Sequence, residues 1–180
     1  MRRLTKLLAV ALLLCAGTAL AQNRFGLGDE AFAVYQRWVL ATCVGGNERV
    51  LAAELRRHAT ELAPAFARAI VEGPAPEDLQ AVRTAAAESF RRRANFPLNE
   101  VAVEGVRPAD LERFRRTSAE AFVADQVRRF ATGYRANAVA ALGIIGDARA
   151  RAILVPLARN PREPLRTAAQ QALRAAPPPR

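Results

Sequence analysis

The chain has 180 residues with 27 basic and 17 acidic side chains, which give it a formal net charge of +10. This length is enough for one compact domain or a short solenoid. Its single histidine and two cysteines are too few for a metal-binding cluster, so the sequence predicts no metal or cofactor site.

Residues 1–21 have the three parts of a secretory signal peptide. Basic residues open the chain, an apolar run follows at Leu7–Leu14, and small residues lead to Ala19-Leu20-Ala21. This A-x-A ending predicts cleavage directly after it, with Gln22 as the first mature residue. We therefore expect an exported protein that is periplasmic or secreted.

Two alternatives to a signal peptide fit the segment less well. A transmembrane anchor needs roughly 20 apolar residues, whereas the stretch from Leu7 to Ala21 has only 15. A lipid anchor on Cys15 would follow the bacterial lipoprotein pattern, but Leu14 stands where that pattern has a small residue. The signal peptide is the interpretation that we adopt.

Without the leader the chain has 24 arginines, no lysine and 17 acidic residues, a net charge of +7. Cys43 is then the one remaining thiol, so apolar burial rather than an internal disulfide must hold the fold. Cys43 is either buried and inert or available to another chain. Its apolar neighbours Val39, Leu40 and Val44 favour burial.

Alanine, leucine, arginine and glutamate dominate the mature chain, and no run of alternating β-branched residues indicates a strand. Residues 98–107 are the least helical stretch and are predicted to be a loop. Glycine and proline breakers predict four helical segments before residue 131: from near Asp29 to Gly45-Gly46, from an Asn47 cap to Gly73-Pro74, from Pro76 to Ala94, and from Pro108-Ala109-Asp110 to about Phe130.

The last part of the chain contains an internal repeat. Residues 135–142 align with residues 166–173 at a constant offset of 31. The alignment pairs Arg135 with Arg166, Ala138 with Ala169, Ala141 with Ala172, and Leu142 with Leu173. Small alanines on one helix face let a neighbouring helix approach closely, and the two leucines are predicted to occupy equivalent core positions.

Residues 134–176 resemble the short HEAT-like repeats of phycobilisome lyase proteins and many bacterial scaffolds. That family's pattern is a helix ending in Ala-Leu-Gly, a Gly-Asp turn, a second helix, an Asp-Pro turn and a Val-Arg start. The residues that match it are Gly143-Ile144-Ile145-Gly146-Asp147, then Ala152, Leu154 and Leu157, then Asn160-Pro161 and Leu165-Arg166. The resemblance implies an α-solenoid of stacked helical hairpins.

Two positions depart from this pattern. Asn160 replaces the usual aspartate, and Pro156 lies inside the second helix, where a kink is expected. Two repeats cannot bury enough surface alone, so the upstream helices are expected to cap them. The sequence thus predicts an all-α, short solenoid with three parts: N-terminal hairpins and a loop at 22–107, a long helix plus repeats at 108–176, and a disordered tail at 177–180.

No group of residues has the spacing of a catalytic site, so we expect no enzyme activity. Cys43 and His58 could form a nucleophile pair, but no orienting residue can be assigned, and a buried cysteine with a surface histidine explains them better. Gly26-Leu27-Gly28 lacks the third glycine of a dinucleotide loop. Glu77 and Asp78 are adjacent, which is typical of a helix start rather than of a paired acid and base.

Charge is distributed unevenly along the mature chain. Residues 22–130 have 16 arginines and 15 acids, whereas residues 131–180 have 8 arginines against only Asp147 and Glu163. Tyr134 is the only aromatic residue in this last part, so a base-stacking surface for nucleic acid is not expected. The pattern predicts a basic binding surface on the repeats, formed by Arg135, Arg149, Arg151, Arg159, Arg162 and Arg166.

Helical-repeat proteins present an extended row of helices as a binding surface. We therefore expect a non-catalytic module for protein–protein interaction, a scaffold or assembly factor in the cell envelope, whose partner has an acidic face. The alternative is binding of the basic repeats to an anionic membrane surface or envelope polymer. In a third interpretation the excess charge only keeps the protein soluble.

Overall fold

The computed structural model of the protein describes residues 23–40, 48–94, 112–114 and 116–176. No strand occurs in these ranges, which confirms the all-α prediction, while the solenoid arrangement stays a prediction. One helical turn lies at residues 112–114. The seven longer helices are α1 (Asp29–Val39), α2 (Glu48–Arg57), α3 (Ala59–Glu72), α4 (Pro76–Ala94), α5 (Ala119–Ile145), α6 (Ala148–Arg159) and α7 (Arg166–Ala175).

Several helix ends lie where local signals predict them. α1 begins at Asp29, and α4 has the predicted bounds, with acidic residues in its first turn and arginines in its last turn. Both charges oppose the partial charge of the helix end that they occupy. Gly73 ends α3 with a φ of 73°, in the left-handed region that side chains other than glycine rarely adopt.

The predicted Gly-Asp turn between α5 and α6 is confirmed. Gly146 has a φ of 65°, and its N–H donates to the Leu142 carbonyl at 2.9 Å, which closes the end of α5. Asp147 then caps α6, because its Oδ1 accepts a hydrogen bond from the Ala150 N–H at 2.7 Å. α6 continues through Pro156 as a helix.

Two predicted helices have different bounds. The predicted start at Pro108 lies outside the described residues; within them the long helix begins at Ala119, where the Ser118 hydroxyl caps it by accepting a hydrogen bond from the Ala121 N–H at 3.1 Å. It continues to Ile145 although Gly133 and Gly143 lie inside it, since each glycine inside a helix costs only about 1 kcal/mol. The segment expected to end at Gly73-Pro74 is divided at His58, where neither glycine nor proline marks the break. Residues 41–47, including Cys43 and the expected Asn47 cap, lie outside the described residues.

The chain divides into two compact units. The first consists of the described residues up to Pro74 together with residues 132–176, and the second lies within residues 75–131. Residues 119–131 of α5 thus belong to the second unit and residues 132–145 to the first. The boundary predicted between residues 107 and 108 falls outside the described residues.

The first unit has a core assembled from distant parts of the chain. In this unit α6 packs against α7, the helices α1, α2 and α3 pack against one another, and α3 also contacts α6. Its largest fully buried side chains come from α2, α3, α5 and α6, and they are Phe66, Leu55, Leu62, Leu142, Leu154 and Val139.

Burial repeats at the 31-residue offset seen in the sequence. Tyr134 and Leu165 are both buried, as are Ala138 and Ala169, and Ala141 and Ala172. The predicted equivalence of Leu142 and Leu173 is wrong, because Leu142 is fully buried and Leu173 is half-buried. α7 is the last helix among the described residues, and Leu173 is half-exposed there.

The second unit is held by aromatic contacts rather than by a filled interior. Phe90 of α4 lies 5.0 Å from the ring of Phe114 and 5.5 Å from that of Phe122. The Arg93 guanidinium lies 5.8 Å from the centre of the Phe122 ring. All three rings are half-buried, and Ala86, at 6% exposure, is the one buried residue in the described part of this unit.

Candidate partner-binding surface

The predicted basic surface lies mainly on the hairpin of α6 and α7, which we call the basic hairpin (residues 148–176). Asn160 begins its turn by accepting the Arg162 N–H on Oδ1 at 3.0 Å. The Gln170 amide donates to the Ala158 carbonyl at 3.1 Å and so satisfies the end of α6. Leu154 of α6 is fully buried in the first unit, so the polar side chains of the basic hairpin lie on its outer side.

The two carboxylates near the basic hairpin are both used by the backbone. Asp147 caps α6, and Glu163 Oε1 accepts the Leu165 N–H at 3.3 Å just before α7 begins. The partial positive charge of a helix start favours carboxylates at these positions. Within the described residues neither carboxylate forms an ion pair with an arginine.

Three of the six predicted arginines gather at the turn of the basic hairpin. Arg159 ends α6, Arg162 lies in the turn, and Arg166 begins α7. All three are exposed, and none has an ion-pair partner among the residues that the structure describes. We call these three residues the turn cluster.

Two other predicted arginines lie at the opposite end of α6 and serve helix ends. Pro64 has no N–H, so the Thr60 carbonyl of α3 lacks its helical donor, and Arg149 Nη1 donates to it at 3.4 Å. Arg151 Nε donates to the Gly146 carbonyl at 3.1 Å, and its Nη2 lies 3.5 Å from the Ala176 carbonyl. At 1.5 Å per residue they lie roughly 12–15 Å along the helix from the turn cluster.

The sixth predicted arginine, Arg135, packs against the end of α3. A Cβ placed on Gly73 would lie 3.0 Å from Arg135 Nη2, so the guanidinium occupies the space that the glycine leaves. Its Nε is buried and has no hydrogen-bond partner in the described part of the chain. The six arginines therefore do not form one surface, and only the turn cluster is both exposed and unpaired.

A cluster of two buried tyrosines and a partly exposed arginine, which the sequence did not reveal, joins the start of the described chain to α1 and α5. The Tyr35 and Tyr134 hydroxyls lie 2.5 Å apart. Arg24 Nη2 donates to the Tyr134 hydroxyl at 3.2 Å and to the Gly73 carbonyl, and Arg24 forms an ion pair with Glu72 at 3.8 Å. Burial raises the pKa of the Tyr35 phenol far above its ordinary value, and its hydrogen bond with Tyr134 acts in the same direction.

This cluster has the chemistry of a structural clasp. The phenol keeps its proton and the guanidinium never loses one, so neither acts as a general base at neutral pH, and the Glu72 carboxylate is paired with Arg24. The contacts join residues 99 and 110 positions apart, so they fix α1 and the preceding segment against α5. Trp38 Nε1 extends the same seam by donating to the Asn137 carbonyl at 2.6 Å.

The clasp should make stability fall at alkaline pH. The unfolded chain loses the Tyr35 proton above about pH 10, while the folded protein keeps it because its pKa is raised. The unfolded state then binds fewer protons, so the free energy of unfolding decreases as pH rises, by about 1.4 kcal/mol per unit for this one group. Urea denaturation from pH 8 to pH 11.5 should show a smaller decrease in Tyr35→Phe than in the wild type. Equal slopes in the two proteins would contradict the assignment.

The remaining sequence candidates are placed as follows. His58 is not a surface residue as predicted: its side chain is 15% exposed, with Nε2 at 3.8 Å from a Glu30 carboxylate oxygen and Nδ1 at 3.9 Å from one of Glu61. The helix break at His58 accounts for this, because it directs the ring toward α1. Glu77 and Asp78 lie in the first turn of α4, as predicted.

Across the described ranges, no group of three or more histidine, cysteine, aspartate or glutamate side chains is placed to hold a metal ion. None of the helices in those ranges combines the length and the apolar character that crossing a membrane requires. The sequence matches no protein-family model, and comparisons with curated proteins and with solved structures likewise gave no match.

Proposed function

We propose that the protein is an exported, non-catalytic helical-repeat module that holds an acidic protein partner through the turn cluster. The observation that carries the proposal is the set of three exposed arginines without ion-pair partners among the described residues. The two nearby carboxylates, Asp147 and Glu163, are held at helix starts by backbone N–H groups. The positive charge of the cluster therefore stays open to a partner.

Charge and geometry favour carboxylates as the groups recognised. Like charges held within seven residues raise the energy of the free protein, and an acidic face relieves it. Each guanidinium presents a planar fork that can donate two parallel hydrogen bonds to one carboxylate. Exposed pairs of this kind contribute mostly to the association rate and to the choice of partner, and salt weakens them.

The repeat and the cellular address are part of the same proposal. Burial at three pairs of positions 31 residues apart supports stacked units of the HEAT-like type, in which the turns line one edge. The signal-peptide pattern of residues 1–21 supports an envelope or extracellular partner. A scaffold or assembly factor fits both features.

Reversing charge in the turn cluster should weaken partner binding. We expect Arg159→Glu/Arg162→Glu to retain less than about one tenth of the protein that the wild type captures from cell-envelope extract. The control, Arg49→Glu/Arg57→Glu, changes the net charge equally at two exposed positions of α2 and should capture as much as the wild type. Capture by the wild type should also fall as salt is raised severalfold.

Three outcomes would contradict this proposal. Equal losses in the two double variants would mean that net charge alone governs binding. If wild-type protein instead co-sediments with anionic vesicles as strongly as it binds its partner, while Arg159→Glu/Arg162→Glu does not, that result would favour binding to an anionic membrane surface. Unchanged capture by both variants would exclude the turn cluster as the site.

A further inference from the structure

A closed turn at residues 23–27 stands at the start of the described chain. The Asn23 Oδ1 accepts a hydrogen bond from the Leu27 N–H at 2.9 Å, and the Asn23 Nδ2 donates to the Leu27 carbonyl. The Gly26 N–H donates to the Asn23 carbonyl at 3.1 Å. These three hydrogen bonds fix Asn23 in place although it is exposed to solvent.

Arg24, directly after Asn23, anchors this turn to the rest of the first unit through the contacts of the clasp. Its guanidinium also lies 4.6 Å from the centre of the Phe25 ring, which in turn lies 5.1 Å from the Tyr35 ring. If cleavage follows Ala21, Arg24 is the third residue of the mature chain. Removal of three residues from the mature N-terminus would therefore abolish the clasp.

Cleavage after Ala21 also leaves a glutamine, Gln22, as the first residue, and an N-terminal glutamine can cyclise. The α-amine nitrogen attacks the side-chain carbonyl carbon Cδ, a C–N bond forms, the bond between Cδ and Nε2 breaks, and ammonia leaves. The product is the lactam pyroglutamate, and the reaction consumes no oxidant or other reactant. An α-amine loses its proton at about pH 8, so part of it is neutral and nucleophilic near neutral pH. Gln22 itself lies outside the described residues.

The mature chain contains no other primary amine. Lys6 is the only lysine of the whole sequence, and it belongs to the predicted leader. Cyclisation of Gln22 would therefore remove the last group of this kind, together with the positive charge of the chain terminus. Aminopeptidases act on a free α-amine, so a lactam at residue 22 would also stop them before they reach Arg24.

We propose that Gln22 is converted to pyroglutamate in the exported protein, which leaves the mature chain without a primary amine and protects the clasp from aminopeptidases. This modification rests on the export that is part of the proposed function, and it is independent of the turn cluster.

Mass spectrometry of protein isolated from the native cell envelope, and denatured in acid at once, tests the modification. We expect an intact mass that is lower by one ammonia than that of unmodified residues 22–180, and no labelling by an amine-reactive dye. The control, Gln22→Ala, keeps the Ala19-Leu20-Ala21 ending and a free α-amine, so it should take up the dye. A chain that starts at Gln22, retains the ammonia and takes up the dye overturns the modification but leaves export intact. A chain that starts at Met1 overturns both.

Digestion with an aminopeptidase tests the protection of the clasp. The wild type should keep its mass, whereas Gln22→Ala should lose at least residue 22, which precedes the hydrogen-bonded turn. Chains trimmed past Arg24 lose the clasp and should unfold at a lower urea concentration than the untreated variant. Loss of residues from the wild type, or equal resistance of the two proteins, overturns the protective role.

Discussion

Leu142→Asp is expected to unfold the first unit. Leu142 of α5 is fully buried, as are large side chains of α2, α3 and α6 in the same unit. An aspartate there would place an unpaired carboxylate in the core, at a cost of several kcal/mol. That cost is comparable with the total stability of a domain, about 5–15 kcal/mol. Circular dichroism should show loss of helix at 25 °C, and Leu142→Ala should cost about 2–5 kcal/mol in urea denaturation.

Two matched variants serve as controls for this prediction. Leu173→Asp makes the same change at the position 31 residues later, but Leu173 is half-buried and its replacement can reach water. It should remain folded and lose clearly less stability than Leu142→Asp. Arg149→Asp removes only an exposed hydrogen bond of 3.4 Å and should change stability by less than about 1 kcal/mol. Equal tolerance of the two leucine changes would mean that Leu142 does not lie in the core.

Features determined by neighbouring residues could be predicted from the sequence. The start of α1, both ends of α4 and the Gly146-Asp147 turn each depend on a glycine, a proline or an acidic first turn within a few residues. Local backbone preferences and helix capping act over this distance. The repeat could be recognised for a related reason. Close packing of helices needs small residues, and here the alanines recur at a constant offset of 31 residues.

Features that depend on distant residues could not be predicted. Arg24, Tyr35 and Tyr134 meet only after the chain has folded, and nothing near any of them in sequence indicates the others. The break at His58 has no glycine or proline to mark it. The start of α5 is signalled by Ser118 directly before it, whereas the start predicted at Pro108 lies outside the described residues.

The candidate site shows the same division. Counting charges correctly placed a basic excess on the last fifty residues, but the count could not separate free arginines from those that serve the backbone. Arg149 donates to a carbonyl freed by Pro64, a residue 85 positions away whose effect appears only when α3 meets α6. The three arginines of the turn cluster stay exposed because they lie in, or directly beside, a short surface turn.

Gly143→Ala is expected to destabilise the protein, although alanine is the better helix former. A Cβ on Gly143 would lie 2.7 Å from Ala172 Cβ, 2.9 Å from its Cα and 3.0 Å from its carbonyl oxygen. Two of these atoms belong to the backbone of α7, so the two helices would have to move apart. Overpacking of this kind costs about 1–3 kcal/mol, which exceeds the gain of about 1 kcal/mol from replacing a helical glycine.

Gly133 provides the control inside the same helix. A Cβ there meets nothing within 4 Å, so Gly133→Ala should raise the free energy of unfolding by up to about 1 kcal/mol. Gly143→Ala/Ala172→Gly would remove the closest contact but leave the new Cβ 2.9 Å from the Cα of residue 172, and should recover only part of the loss. Urea denaturation of the wild type, Gly143→Ala, Ala172→Gly and the double variant measures the coupling between the two positions. If Gly143→Ala stabilises as Gly133→Ala does, α5 and α7 are not in close contact, and the stacked repeat loses its main packing support.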